Sequence, residues 1–166
     1  TLQVIDNVSN LSDKMEIRFS ALVHDIAKPQ TKKFYSDKGW TYYGHEIVGV
    51  GLMKKLAKRM KLPNKLRDYL CMMIKLHLRP ISLAKKGVTD SAVRRVIVEA
   101  GECIDDLMIL CRADITTKNP KKVKKYLNNF SRVEELVKDV TLRDELRAFQ
   151  SPVKGKVIMK KLKVII

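Results

Sequence analysis

The chain has 166 residues, of which 45% are hydrophobic and 31% charged, a composition typical of a soluble globular protein with one buried core. No apolar run approaches the roughly 18 residues of a membrane-spanning helix, and the opening TLQVIDNVSN lacks the basic and apolar regions of a signal peptide. The formal net charge of +16 favours contact with polyanions, although genome composition alone can also produce a lysine-rich surface.

Turn-forming residues are scarce, which predicts an all-α fold. The chain has seven glycines and five prolines, and only 6% of its residues are aromatic. Long stretches of Leu, Ile, Val, Met, Lys and Arg remain, as in helical proteins. The three cysteines, Cys71, Cys103 and Cys111, are scattered in apolar runs without a Cys-x-x-Cys pair, which predicts buried packing residues in a reducing compartment. We therefore expect a cytoplasmic protein.

The first predicted helix lies at the very start of the chain, with no cap before it. Its apolar face consists of Leu2, Val4, Ile5 and Val8. A second helix follows, with Ser12 as its predicted N-cap, and residues 17–26 are apolar on nearly every side, as in a core helix. Pro29 ends this helix, and residues 28–46, KPQTKKFYSDKGWTYYGHE, are predicted to form an aromatic-rich loop.

Proline and glycine also divide the rest of the chain into helices. A helix over 45–62 contains two glycines that permit close helix contact, and a buried helix capped by Asn64 follows it. The next helix is capped by Thr89 or Asp90 and closed by Gly101, and a further one covers about residues 103–119.

The last predicted helix is long and amphipathic. It begins with Pro120 in its first turn and is expected to break near Thr141. We expect one domain over residues 1–150 and a peripheral basic tail over residues 151–166.

Three of the predicted core helices carry metal-type ligands near the end of an apolar run. His24 and Asp25 follow FSALV, His77 follows CMMIKL, and Asp114 follows LMILCRA. His45 lies instead at the start of a helix, where the aromatic loop delivers it. If the helices pack in the appropriate order, we expect these side chains to converge.

A histidine beside an aspartate in an apolar segment suits a divalent cation. Adjacent helical positions differ by about 100°, so His24 and Asp25 can reach one ion from a single turn. An unpaired carboxylate in an apolar core costs several kcal/mol, and a cation removes that penalty. Imidazole and carboxylate ligands without thiolate favour Mn, Fe, Co, Ni, Zn or Mg. The alternative is a hydrogen-bonded core histidine beside an aspartate that caps a helix or forms a salt bridge.

Four segments, ALVHDIAKPQT, YYGHE, KLHLRP and LCRADIT, together resemble the HD-domain metal-dependent phosphohydrolases. More narrowly, they resemble the HD domain that follows the catalytic head of bacterial tRNA nucleotidyltransferases, the CCA-adding enzymes of the poly(A) polymerase family. The resemblance covers about residues 1–150 and implies an HD-domain helical bundle. It also implies a set of metal ligands, namely His24, Asp25, His45, His77 and Asp114.

Asp25 and Lys28 are the candidate catalytic residues. The chemistry of a metal-bound water predicts that Asp25 orients the attacking water, and the resemblance implies that Lys28 lies near the phosphate. HD proteins have one more histidine ligand on the preceding helix, but no histidine precedes His24. We therefore expect the chain to begin just after that position. The Gly-Ser doublet and Asp-x-Asp motif of a nucleotidyl-transfer centre do not occur, so we do not expect this chain to add CCA by itself.

Two hypotheses about function follow. The first is a metal-dependent phosphohydrolase that acts on nucleotide or RNA phosphoesters, for example 2′-phosphates or 2′,3′-cyclic phosphates. The second is a tRNA-binding module of a CCA-adding enzyme in which the HD site is structural or residual. The expected partner is a nucleotide or RNA, above all tRNA. The candidate phosphate-binding residues are Lys28, Arg79, Arg112, Lys118, Lys121 and Lys122, for each of which the alternative is a solvated surface charge.

Overall fold

The computed structural model describes residues 1–85, 87–148 and 161. The elements in chain order are α1 (Leu2–Ser9), α2 (Met15–Val23), α3 (Lys28–Thr31), β1 (Lys33–Tyr35), β2 (Gly39–Thr41), α4 (His45–Met60), α5 (Asn64–Leu76), α6 (Arg79–Leu83), α7 (Asp90–Ala100), α8 (Ile104–Ala113) and α9 (Pro120–Ala148). The all-α prediction is confirmed, because helices dominate and the two strands form only a small hairpin. Among the described residues, no helix is both long and apolar enough to cross a membrane. The predicted tail, residues 151–166, lies outside the described residues except for residue 161.

The start of α2 differs from the prediction. Ser12 does not cap the helix, because its hydroxyl accepts a hydrogen bond from the Lys14 backbone N–H at 3.2 Å in a local turn. Lys14 is the N-cap residue and provides no side-chain cap. The helix then ends at Val23, so the predicted apolar run continues into turns rather than into another helical turn.

The other helix ends match the prediction in part. Thr89 caps α7 by accepting a hydrogen bond from the Ala92 N–H, and Gly101 closes this helix at a φ of 55°. Asn64, however, is the first helical residue of α5 rather than its cap. The predicted break near Thr141 is wrong, because α9 is continuous; a threonine inside a helix costs only a fraction of a kcal/mol.

The predicted aromatic loop contains a short helix, α3, and a β-hairpin. β1 and β2 pair antiparallel in the register Lys33↔Thr41, Phe34↔Trp40 and Tyr35↔Gly39. Gly39 has a φ of 73°, a conformation that favours glycine at the turn. Aromatic and β-branched side chains on both sides of this turn explain why the segment pairs as strands.

Two groups of buried side chains form the core, and α5 contributes to both. Met73 and Leu76 pack in the larger group with residues of α1, α2, α7, α8 and α9. Leu70 and Ile74 pack in the smaller group with residues of α2 and α4. The packing of α5 between these groups holds its C-terminal end in one position. Of the three cysteines, Cys103 is only half-buried, so its predicted burial is wrong.

The two glycines of α4 differ in their surroundings, which gives a matched pair of variants. A Cβ atom at Gly49 would lie 2.8 Å from Cγ2 of the buried Ile74, whereas Gly51 has nothing within 4 Å. We predict that Gly49→Ala lowers the free energy of unfolding by about 1–3 kcal/mol, because α4 must shift from α5. Gly51→Ala should raise it by roughly 0.5–1 kcal/mol through helix propensity. Urea denaturation measures both, and equal effects would contradict this packing.

Candidate metal centre

Three helix C-termini and one helix N-terminus meet at a single point. His24, His77 and Asp114 are the C-cap residues of α2, α5 and α8. His45 is the first residue of α4, and Asp25 follows the end of α2 directly. The structure therefore brings together all five side chains that the sequence predicted as metal ligands.

Backbone carbonyls orient all three imidazole rings in the same way. Each Nδ1 lies within hydrogen-bond distance of the carbonyl oxygen three residues earlier: His24 with Ala21 at 2.9 Å, His45 with Tyr42 at 2.8 Å, and His77 with Ile74 at 2.7 Å. A carbonyl oxygen only accepts hydrogen bonds, so each Nδ1 carries a hydrogen. In the neutral ring, Nε2 then presents its lone pair to the common centre.

The Asp25 carboxylate lies among these nitrogens. Its Oδ1 is 3.3 Å from Nε2 of His45 and 3.8 Å from Nε2 of His77. Its Oδ2 is 3.1 Å from Nε2 of His24 and 2.6 Å from Nζ of Lys28. Asp25 consequently faces two different sets of ligand atoms with its two oxygens.

Two overlapping groups of three side chains could each hold an ion. One consists of Asp25, His45 and His77, the other of His24, Asp25 and Asp114, whose Oδ1 is 3.4 Å from Nε2 of His24. In each group, the candidate ligand atoms lie within 4.8 Å of one another. Asp25 belongs to both groups.

The contacts among these side chains fit a divalent cation. Nε2 of His45 and Nε2 of His77 are 3.2 Å apart, a distance at which two lone pairs repel unless a proton or a cation lies between them. Nε2 of His24 is buried and makes no hydrogen bond of good geometry within the described residues. The carbonyl ends of three helices add negative partial charge. Nitrogen and carboxylate donors together are a common ligand set for divalent ions.

Burial and charge displace the pKa values in different directions. Burial opposes the charge on His24, but the carboxylates of Asp114 and Asp25 outweigh it and raise the pKa of His24 to about 9. Burial lowers the pKa of His77 to about 4. Burial also disfavours the Asp25 anion, yet His24 and Lys28 hold the pKa of this carboxyl well below its usual range. Asp25 is therefore ionised at neutral pH.

The predicted phosphate-binding residues differ in their surroundings. Lys28 contacts Asp25 directly, and its side chain is 41% exposed. Arg79 is exposed at the start of α6. Arg112 donates to both carboxylate oxygens of Glu134, at 2.7 and 2.6 Å, and to the Ser131 hydroxyl, so its guanidinium joins α8 to α9. Among these three residues, Lys28 alone contacts one of the five clustered side chains.

The three predicted lysines of the last helix lie at its N-terminus. Lys118 precedes α9, and Lys121 and Lys122 lie in its first turn, all of them exposed. The Asn119 side chain accepts hydrogen bonds from the backbone N–H groups of Lys121 and Lys122. This cap fixes where the positive end of α9 begins.

A cleft of about 320 Å³ opens beside the clustered ligands. Its lining residues are His77, Leu78, Ile81, Cys111, Asp114, Ile115, Thr116, Thr117, Tyr126 and Phe130. The wall from α9 is not predictable from the sequence, because Tyr126 and Phe130 are four residues apart and match the apolar spacing of any amphipathic helix. The same is true of Asn7, whose side chain donates to the Ala113 carbonyl at 2.7 Å and supports the end of α8. No local signal marks either feature.

Comparison with known proteins gives two results. The chain matches the HD domain family over residues 1–119, a region that ends just before α9. It is also similar to multifunctional CCA proteins from several bacteria.

The similarity to these relatives covers different shares of the chain. The relative from Vibrio campbellii is 30% identical over 118 residues, which are 69% of this chain and 28% of that protein. The relative from Pseudoalteromonas atlantica is 27% identical over 132 residues, which are 77% of this chain and 32% of that protein. The relative from Shewanella frigidimarina is 44% identical over 69 residues, which are 41% of this chain and 16% of that protein. The chain spans less than a third of the length of each of these relatives.

The histidine pKa values predict a stability maximum for protein kept in a chelator. Because the pKa of His77 is lowered to about 4 in the folded chain, its contribution to the free energy of unfolding is complete above pH 6.5 and is lost as the pH falls towards 4. Because the pKa of His24 is raised to about 9, its contribution to the free energy of unfolding is complete below pH 6.5 and is lost as the pH rises towards 9. We expect the free energy of unfolding to peak near pH 6.5 and fall on the order of 1–3 kcal/mol on each side.

Urea denaturation in EDTA at a series of pH values measures this profile. The His24→Asn variant serves as its control, because it should lose the decline on the alkaline side and keep the decline on the acidic side. A flat profile in the unsubstituted chain would contradict the assigned charges.

Proposed function

The chain belongs to the HD domain family, and from this premise we propose that it is a metal-dependent phosphohydrolase domain acting on nucleotide or RNA phosphoesters. One observation carries this proposal. Three imidazole Nε2 atoms and two carboxylates converge where three helix C-termini meet. Several ligands of this kind would serve no purpose in a surface that only binds RNA.

The five clustered side chains are the proposed ligands, and Asp25 has a double role among them. A divalent ion, when bound, supplies positive charge to phosphate oxygens and lowers the pKa of water. Asp25 directs Oδ1 towards His45 and His77 and Oδ2 towards His24, so one carboxylate can serve both ligand groups. The Nδ1 hydrogen bonds keep the imidazoles from rotating away. With an ion held by these ligands, Asp25 would orient the attacking water.

Lys28 is the proposed phosphate-binding residue nearest the centre. Its Nζ lies 2.6 Å from Oδ2 of Asp25, and much of its side chain is exposed. When another cation balances Asp25, this ammonium group can turn to a substrate phosphate with little cost. The more distant basic residues, Arg79, Lys118, Lys121 and Lys122, would add attraction to the phosphate backbone that does not depend on sequence.

The cleft beside the ligands is the proposed place for the rest of the substrate. It includes His77 and Asp114 in its wall, so a group in the cleft lies next to the centre. Its volume of about 320 Å³ and its mixture of aromatic and hydroxyl side chains are typical of small-molecule sites. A nucleoside attached to the reacting phosphate is the proposed occupant.

A second candidate function is a tRNA-binding module in which the HD site is a scaffold. It is favoured by the net charge of +16 and by the relatives, which are named multifunctional CCA proteins. The chain spans only part of those proteins, so contact with tRNA stays a proposal. The two candidates differ in what they require of Asp25.

The first test is the metal content of the purified chain. We expect about one equivalent or more of a transition metal per chain by elemental analysis, and its loss in Asp25→Ala, because Asp25 belongs to both ligand groups. The control is Asp37→Ala, which removes a carboxylate that is 67% exposed in the hairpin turn. Equal metal content in all three proteins would contradict the assigned centre.

The second test separates the two candidate functions. Asp25→Ala is expected to reduce hydrolysis of an RNA 2′,3′-cyclic phosphate by at least about a hundredfold, while tRNA affinity stays nearly unchanged. Lys28→Met should raise KM roughly tenfold, because one charge-assisted contact to phosphate is lost. Product analysis and a tRNA binding titration measure these effects. Unchanged hydrolysis in Asp25→Ala would exclude the metal-dependent reaction, and tRNA binding without any hydrolysis would favour the second candidate.

A further inference from the structure

The segment between α3 and α4 exposes aromatic side chains that the proposed reaction does not use. We call residues 32–43 the aromatic hairpin. Phe34, Tyr35, Trp40 and Tyr43 are 63%, 42%, 59% and 68% exposed, and they are the exposed aromatic side chains of the described part of the chain. Rings that are this exposed do not contribute to the hydrophobic core. A cluster of exposed apolar side chains commonly marks a binding surface.

The rings are arranged in two edge-to-face pairs. Phe34 and Trp40 are cross-strand partners whose ring centroids lie 5.2 Å apart in an edge-to-face arrangement. Tyr35 and Tyr43 form a second pair with centroids 6.5 Å apart. Pairing across β1 and β2 fixes the first pair, so little conformational entropy is lost when a planar ligand stacks on it.

Positive charge accompanies the rings. Nζ of Lys32 lies 4.2 Å from the centroid of the Trp40 ring, and Lys33 and Lys38 belong to the same segment. Asp37 is the one carboxylate within residues 32–43. Aromatic planes interleaved with lysines match a polyanion that carries planar groups, which is a single-stranded nucleic acid. Nζ of Lys38 already lies 3.9 Å from Oδ2 of Asp37, but a purely apolar protein surface would offer no counter-charge to Lys32 and Lys33.

The aromatic hairpin is connected to the candidate metal centre through two contacts. The carbonyl of Tyr42, directly after β2, is the group that orients Nδ1 of His45. Lys28, which contacts Asp25, places its Nζ 5.8 Å from the centroid of the Tyr42 ring. A strand of RNA lying on the hairpin would therefore have its backbone close to the ligands.

We propose that the aromatic hairpin binds the unpaired bases of single-stranded RNA by stacking on Phe34 and Trp40, and so presents a neighbouring phosphoester to the metal centre. The exposed rings and lysines support the stacking of bases. The presentation of a phosphoester to the metal centre rests on the proposed function. The sequence itself provides the probe, because Trp40 is the chain's single tryptophan.

The experiment follows Trp40 fluorescence in EDTA as an unstructured RNA of about ten nucleotides is added. Base stacking should quench the emission in a saturable manner. Inorganic polyphosphate, which has the charge but no bases, should compete at low salt without quenching. Equal quenching by polyphosphate, or no response to RNA, would overturn the proposal. So would a Trp40 emission that shifts with protein concentration alone, because the hairpin would then be a contact between copies of the chain.

Variants on the hairpin identify the stacking surface. Phe34→Leu keeps apolar bulk but removes the aromatic face, and we expect roughly a tenfold loss of RNA affinity. Phe34→Ala should cause at least the same loss. The matched control is Val98→Ala on α7, at a side chain that is 79% exposed, and RNA affinity should not change. Full affinity in Phe34→Leu, with circular dichroism showing a folded chain, would overturn the stacking role.

Failure of this inference can be told apart from failure of the proposed function. Quenching by RNA is measured without metal, so it should persist in Asp25→Ala. If RNA quenches Trp40 but no phosphoester is hydrolysed, the stacking stands and the proposed function fails. If small phosphoesters are hydrolysed but RNA does not quench Trp40, the stacking fails alone.

Discussion

The negative charge of Asp25 is the constraint around which the centre is arranged. Its side chain is only 16% exposed, and a largely buried carboxylate is costly unless positive charge or donors surround it. His24 and Lys28 balance it within 3.1 Å, and His45 and His77 approach its second oxygen. Residues at the ends of α2, α3, α4 and α5 thereby contact one carboxylate. Each of them must be held in place by its own helix.

Helix termini meet this requirement because they leave carbonyl groups without partners inside the helix. At the ends of α2 and α5, these carbonyls accept from the Nδ1 atoms of His24 and His77 and fix the tautomer of each ring. The same ends carry negative partial charge, which favours a cation at the point where they meet. The two core groups hold α5 from both sides, and the close approach of α4 at Gly49 brings His45 within reach.

Two surfaces adjoin this centre, and they differ in their chemistry. The cleft shares His77 and Asp114 with the ligands, and its far wall comes from α9, which follows the region that matches the HD domain family. In the aromatic hairpin, the Tyr42 carbonyl accepts from Nδ1 of His45, and the Tyr42 ring centroid lies 5.8 Å from Nζ of Lys28. The five clustered side chains and the aromatic hairpin both lie within the region that matches the HD domain family, whereas Tyr126 and Phe130 of the cleft come from α9, beyond it.

The sequence by itself determined the helical class and most helix positions, because spacing along one helix is a local property. Its short motifs, through the family resemblance that they carry, indicated the five candidate ligands. It misassigned Ser12 as a cap, missed the β-hairpin and could not distinguish Gly49 from Gly51. Only the tertiary structure decided these points, since each depends on what a residue meets after packing. The pairing of Arg112 with Glu134 and the support of Ala113 by Asn7, 106 residues away, have the same origin. Local patterns do not encode such distant partners, because packing alone brings them into contact.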